Sequence, residues 1–152
     1  MSCDVVILGL GYVGLPLAQQ ATRAGMSVLG FDVNPGVVGS LAAGTSHVDD
    51  LDDGDVREML AGGFRPTTDE TLIATARTAV ICVPTPLSEG DGPDMRAVIG
   101  ATDTVARNLR RGMLVVLEST TYPGTTEELV RPRLEDLSGL VAGVDFDLAF
   151  SP

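Results

Sequence analysis

Residues 5–16 read Val5-Val6-Ile7-Leu8-Gly9-Leu10-Gly11-Tyr12-Val13-Gly14-Leu15-Pro16. An apolar run with no polar alternation, Val5 to Leu8, predicts a strand buried on both faces. The glycines then fall as G-x-G-x-x-G, and a helical pattern follows over 12–24, closed by Gly25. Such a motif arises by chance in a chain holding 18 glycines, but its place between a strand and a helix gives each glycine a mechanical task. Gly9 permits a tight turn, Gly11 lets a phosphate approach the backbone, and Gly14 lets the helix pack close to the strand. The free amides at the helix start, around Tyr12 and Val13, would donate to a pyrophosphate with help from the helix dipole.

Ser27 to Phe31 is a second buried strand, and it stops at Asp32. A carboxylate at that point accepts hydrogen bonds from both ribose hydroxyls of a dinucleotide and repels a 2′-phosphate. No basic residue lies between Asp32 and Arg57 to neutralise such a phosphate. Gly9, Gly11, Tyr12, Val13, Gly14 and Asp32 are therefore read as a site for NAD rather than NADP.

Farther out, the pattern predicts a helix over 36–43, an acidic loop over 45–55 and one or two helical turns over 56–60. A third strand follows over 64–67, then a helix over 70–76 capped at Thr68-Asp69. A fourth strand over 79–83 leads through a polar loop to Asp94, read as the N-cap of a helix over 95–109. A fifth strand spans 113–117, Thr125-x-x-Glu128 has capping-box spacing for a helix towards Leu137, and a sixth strand spans 147–150. Short apolar strands alternating with helices predict the α/β class, a Rossmann doubly wound parallel sheet of about six strands with helices on both faces. Residues 1–152 read as one domain of that kind, whose ligand would lie outside the carboxyl ends of the strands.

With 21 acidic residues against 10 basic ones, the formal net charge is −11. That charge repels nucleic acid and anionic membrane surfaces. All ten basic residues are arginines, so the chain offers no lysine base and no Schiff-base nucleophile. Two cysteines make neither a disulfide framework nor a zinc site, and no metal is expected. The amino terminus lacks the basic and apolar regions of a signal peptide, which leaves the cytoplasm as the expected compartment.

Two further blocks, Val83-Pro84-Thr85-Pro86 and Glu118-Ser119-Thr120-Thr121-Tyr122-Pro123-Gly124-Thr125-Thr126, close the fourth and fifth strands. Together with Gly9 to Pro16 and Pro93-Asp94-Met95, they resemble the UDP-glucose/GDP-mannose dehydrogenase family over essentially the whole chain. The resemblance is nearest to members acting on UDP-sugars, including the UDP-N-acetylhexosamine branch. Members oxidise the 6-hydroxymethyl of a nucleotide sugar to a carboxylate in two NAD-dependent steps, in polysaccharide biosynthesis. The resemblance implies that Tyr12, Val13, Asp32, Thr85 and Thr120 contact NAD, and that Thr120 also organises a water or hydroxyl at the reacting carbon. It implies too that the catalytic cysteine, the central helix and the UDP-sugar-binding domain come from later segments. The full-length protein would be a homodimer taking a UDP-sugar, and these residues alone would show no turnover.

Other residues read more plainly. Cys82 lies in an apolar strand, where a cysteine is usually a small hydrophobe, and Cys3 is read as incidental. His47 is expected to be a loop or surface residue. Asp49, Asp50, Asp52, Asp53 and Asp55 lack EF-hand spacing and are expected to form a solvated loop. Two other classes share the glycine loop: a non-catalytic NAD-sensing regulatory domain and the amino-terminal domain of a 6-phosphogluconate-type hydroxyacid dehydrogenase. The first gives no reason for the blocks after strands four and five, and the run Tyr12 to Pro16 argues against the second.

Overall fold

The computed structural model describes residues 2–90, 92–119, 124 and 126–151. Six strands, β1 (Cys3–Leu8), β2 (Val28–Phe31), β3 (Arg65–Thr67), β4 (Ala76–Ile81), β5 (Leu114–Leu117) and β6 (Asp147–Phe150), form one sheet in the order β3-β2-β1-β4-β5-β6. Every pairing in it is parallel. The chain winds outward from β1 to β3, crosses back to β4 and winds outward again. The order therefore reverses beside β1, the place where connections diverge and leave a crevice.

The unbroken apolar run of β1 follows from its central place. Val5 and Ile7 pack with Leu15 and Ala18 of α1 (Gly14–Arg23), Leu41 of α2 (Pro35–Ala42), and Val56 and Met59 of α3 (Asp53–Ala61). Val6 and Leu8 pack with Val98 and Val105 of α4 (Arg96–Arg107) and Leu134 of α5 (Arg131–Ser138). Helices thus cover both faces, as the alternation predicts. Pro66, which has no amide to give to a ladder, lies in the edge strand β3.

Several boundaries differ from the sequence reading. The acidic stretch is only partly loop, because α3 begins at Asp53. Asp52 Oδ1 accepts the Asp55 amide at 2.8 Å while Asp55 Oδ2 accepts the Asp52 amide at 3.0 Å, a capping box built from two aspartates. The helix predicted over 70–76 is a 3-10 turn, Glu70–Thr75, capped by Asp69, whose Oδ1 accepts the Thr71 amide at 3.0 Å. Strand β4 runs earlier than predicted and stops at Ile81, with Cys82 and Val83 beyond it. Helix α4 starts after Asp94, whose carboxylate still accepts the Arg96 amide at 3.0 Å. Thr125, half of the predicted capping box, lies outside the described residues.

At the carboxyl edge, each strand adds one bond before the chain leaves the sheet. Gly9 N–H donates to the Phe31 carbonyl at 2.9 Å, Cys82 N–H to Leu8 at 2.8 Å, and Glu118 N–H to Ile81 at 2.9 Å. These bonds set Gly9, Cys82 and Glu118 side by side on the floor of the crevice. Among the described residues, no helix is long and apolar enough to cross a membrane.

Candidate cofactor-binding site

A cleft of about 790 Å³ opens there, within the range that encloses most of a cofactor-sized ligand. It runs from Asp32, Val33 and Val37 at one end, across the glycine loop, to Thr85, Glu118 and Ser119 at the other.

In the glycine loop the chain itself excludes a side chain at Gly9 and Gly14, and leaves open space at Gly11. Gly9 leaves β1 at φ +94°, a conformation strained for L residues. Gly14 is in closer contact still: a Cβ there would lie 1.7 Å from the Gly9 carbonyl oxygen, so the first turn of α1 rests directly on the preceding turn. At Gly11 a Cβ would meet nothing within 4 Å. Because Gly11 lines the cleft, the free space beside it is where a ligand's phosphates can touch backbone.

The first helical bond joins the Leu15 amide to the Gly11 carbonyl at 3.1 Å. In a trans peptide the N–H points opposite to its C=O, so the Tyr12 amide is aimed out of the amino end of α1. The Val13 amide belongs to the same first turn, which has no helical acceptors. Pro16 lies in the first turn of α1, where its ring is tolerated; its missing N–H removes one bond between those of Leu15 to Gly11 and Leu17 to Val13. Tyr12 and Val13 are both more than half exposed, at 64% and 56%, at the mouth of the cleft.

Asp32 follows β2 immediately. Its Oδ2 accepts the Leu10 amide at 3.0 Å and its Oδ1 accepts the Asn34 amide at 2.9 Å. Both bonds fix the carboxylate, and each oxygen keeps a second acceptor position, which suits two neighbouring ribose hydroxyls. Of the residues lining the cleft only Arg96 is an arginine, and its guanidinium is engaged by Asp94, with Nη2 2.6 Å from Oδ2. That pair holds the Asp94 carboxyl down at about 2, chiefly through the Arg96 hydrogen bonds. It also secures the loop before α4, where the Asp94 amide donates to the Pro86 carbonyl at 2.6 Å.

At the far end Thr85 is half-buried in the cleft wall. Thr120 lies outside the described residues. The neighbouring Ser119 is buried, and its hydroxyl donates to the Val83 carbonyl at 2.8 Å, which ties the exit of β5 to the exit of β4. Ser119 was not singled out as a site residue from the sequence. Only a register that already places β4 beside β5 reveals its task.

Cys82 is buried beneath the cleft, and burial first, then the Glu118 charge, pushes its thiol up to about 12. Nucleophilic cysteines need the opposite environment. Iodoacetamide at pH 8 should therefore leave both buried cysteines, Cys3 and Cys82, unmodified in the folded chain and modify both in urea, as read by intact mass. The unfolded thiol ionises near 9.0 and the folded one near 12. The folded chain thus holds the extra proton, and this residue's contribution to stability falls as pH rises between those values.

His47 lies in the loop between α2 and α3 and is exposed, as expected, but it has a contact the sequence does not show. Although exposed, it lines the cleft, and its Nε2 lies 2.6 Å from the Leu10 carbonyl oxygen. Nothing in the local sequence signals this, since the contact spans 37 residues. Of the acidic residues nearby, Asp52 and Asp55 cap α3, and among the described residues no three His, Cys, Asp or Glu side chains converge as metal ligands.

A sheet of this order, a glycine turn under a helix start and a strand-end carboxylate together define a dinucleotide-binding Rossmann domain. Residues 3–152 match the model of the UDP-glucose/GDP-mannose dehydrogenase family, NAD binding domain. The chain belongs to this family, and its cofactor is NAD. Over 150 residues it is 41% identical to UDP-N-acetyl-D-mannosamine dehydrogenase of Pyrococcus horikoshii, covering 97% of this chain and 35% of that protein. Over 148 residues it is 36% identical to UDP-N-acetyl-D-glucosamine 6-dehydrogenase of Pseudomonas aeruginosa, covering 97% and 34%. The solved structure of the Pyrococcus horikoshii UDP-D-ManNAc dehydrogenase superposes with a TM-score of 0.91 at 39% identity, over 98% of this chain and 36% of that one. A ternary complex of GDP-mannose dehydrogenase from Pseudomonas aeruginosa gives 0.89 at 29% identity, over 98% and 36%. The chain therefore spans about a third of the length of these relatives.

Proposed function

We propose that this chain is the NAD-binding part of a UDP-sugar 6-dehydrogenase, and that the sugar is a UDP-N-acetylhexosamine. The observation that carries this reading is the match over nearly the whole chain to two relatives named for UDP-N-acetylhexosamine substrates, at 41% and 36% identity. NAD supplies the hydride acceptor for oxidation of the sugar C6 hydroxyl to a carboxylate in two steps. The chain's own residues hold and orient it. The Tyr12 and Val13 amides, with Gly9, Gly11 and Gly14 giving the backbone room, take the pyrophosphate, and Asp32 takes the adenosine ribose. Because Asp32 marks the adenosine end over β2, the nicotinamide end would fall over β4 and β5, towards Thr85, and the family resemblance assigns it Thr120 as well. Thr120 would also organise a water or hydroxyl at the reacting carbon.

Substrate binding and the covalent chemistry belong to other parts of the whole protein, read as a cytoplasmic homodimer in polysaccharide biosynthesis. The absence of lysine from this chain and the raised ionisation of Cys82 support that division of labour. The test is NADH formation with UDP-N-acetylglucosamine, UDP-N-acetylmannosamine, UDP-glucose and GDP-mannose, for these 152 residues and for the longer polypeptide the reading requires. Two NADH per UDP-N-acetylhexosamine from the longer polypeptide, and none from the 152 residues, is the expected result. Preference for GDP-mannose would overturn the substrate assignment.

A further inference from the structure

The residue between the first two glycines is held from two sides. The Leu10 amide donates to Asp32 Oδ2 at 3.0 Å, and the Leu10 carbonyl oxygen lies 2.6 Å from His47 Nε2. A carbonyl can only accept, so Nε2 carries the proton and donates. The Leu10 carbonyl belongs to the same planar peptide as the Gly11 amide. Gly11 is the hinge between the glycine turn and the first helical bond at its own carbonyl, and without a Cβ it is the residue best able to let that plane rotate. The bond from His47 fixes the plane just before the hinge.

The loop that carries His47 is itself held in place. Lying between α2 and α3, it buries Val48 and Leu51 in the core on the α1 side of the sheet. Ser46 anchors the same loop: its amide donates to Asp53 Oδ1 at 2.8 Å and its hydroxyl to the Val48 carbonyl at 3.0 Å. The donor is thus presented from a fixed base and is not recruited by the ligand.

We infer that His47 is a positioning residue of the cofactor site, which orients the Leu10–Gly11 peptide so that the Tyr12 and Val13 amides meet the pyrophosphate. This rests on the cofactor reading above and extends it to a loop that carries no recognisable motif. Asp32 thereby serves twice, on the ribose and on the amide of the residue whose carbonyl His47 holds.

The test is calorimetric titration with NAD of the unaltered chain, His47→Ala and His47→Gln, with thermal unfolding of all three. His47→Ala should weaken NAD binding by about 3- to 10-fold, the worth of one hydrogen bond. His47→Gln, whose side-chain amide keeps an N–H donor, should recover at least half of that loss at an unfolding midpoint like that of His47→Ala. Recovery of affinity without recovery of stability is what a merely structural role would not give. Equal affinity in His47→Ala and the unaltered chain would overturn the role, and so would equal weakening in both variants. Failure of the unaltered chain to bind NAD would overturn the cofactor site itself, and this role with it.

Discussion

Gly14→Ala is expected to abolish NAD binding and to destabilise the chain by about 3 kcal/mol, the scale of a severe steric substitution. The added Cβ would lie 1.7 Å from the Gly9 carbonyl oxygen, so either α1 must lift or the Gly9 turn must open. Both movements displace the amides meant for the pyrophosphate. The companion variant separates folding from binding. Gly11→Ala adds a methyl that meets nothing within 4 Å of the chain, at a φ outside the left-handed region. Its urea midpoint should stay near that of the unaltered chain while its affinity for NAD collapses, because the methyl occupies the space the phosphates need. Normal NAD binding by Gly11→Ala would mean that the cofactor does not lie against this loop.

Asp32→Ala carries the second large effect. It removes the acceptors for two ribose hydroxyls and releases the Leu10 and Asn34 amides. A hydrogen bond to a charged group is worth about 1.5–3 kcal/mol, so NAD affinity should fall by about 10- to 100-fold in calorimetric titration. The NAD-to-NADP ratio should narrow as well. In the unaltered chain a 2′-phosphate would face the carboxylate, and at about 4 Å each like-charge pair costs between about 1 and 4 kcal/mol, depending on how much water intervenes. Removing the carboxylate removes that repulsion. Asp32→Asn should not rescue, because whichever way the amide turns, its NH2 faces the Leu10 or the Asn34 donor. Unchanged discrimination in Asp32→Ala would place cofactor selection elsewhere.

What the sequence made legible follows the physics of each segment. The run Val5 to Leu8 read as a strand buried on both faces because it has no polar alternation and ends at the glycine motif, and the sheet places it between β2 and β4. Asp32 was legible because a strand end is abrupt: Phe31 is buried and Asn34-Pro35 turns the chain. The start of α3 was hidden because its capping box uses aspartate where glutamate or glutamine is usual, so Asp52 and Asp55 read as part of an acidic loop. The end of β4 was misplaced because Cys82 and Val83 are as apolar as the strand, yet they leave the ladder to line the cleft. His47 and Ser119 were out of reach for another reason. Each works through a carbonyl more than 30 residues away, Leu10 for one and Val83 for the other. No local pattern encodes such a partner: the pairing of β4 with β5 brings Ser119 to Val83, and the packing of the loop between α2 and α3 brings His47 to Leu10.

The most direct test of the account is calorimetric titration of the unaltered 152-residue chain with NAD and with NADP under the same conditions. Saturable binding of one NAD per chain, with NADP at least about tenfold weaker, is the result the cleft and its Asp32 carboxylate predict. Equal binding of the two nucleotides, or binding of neither, would contradict it.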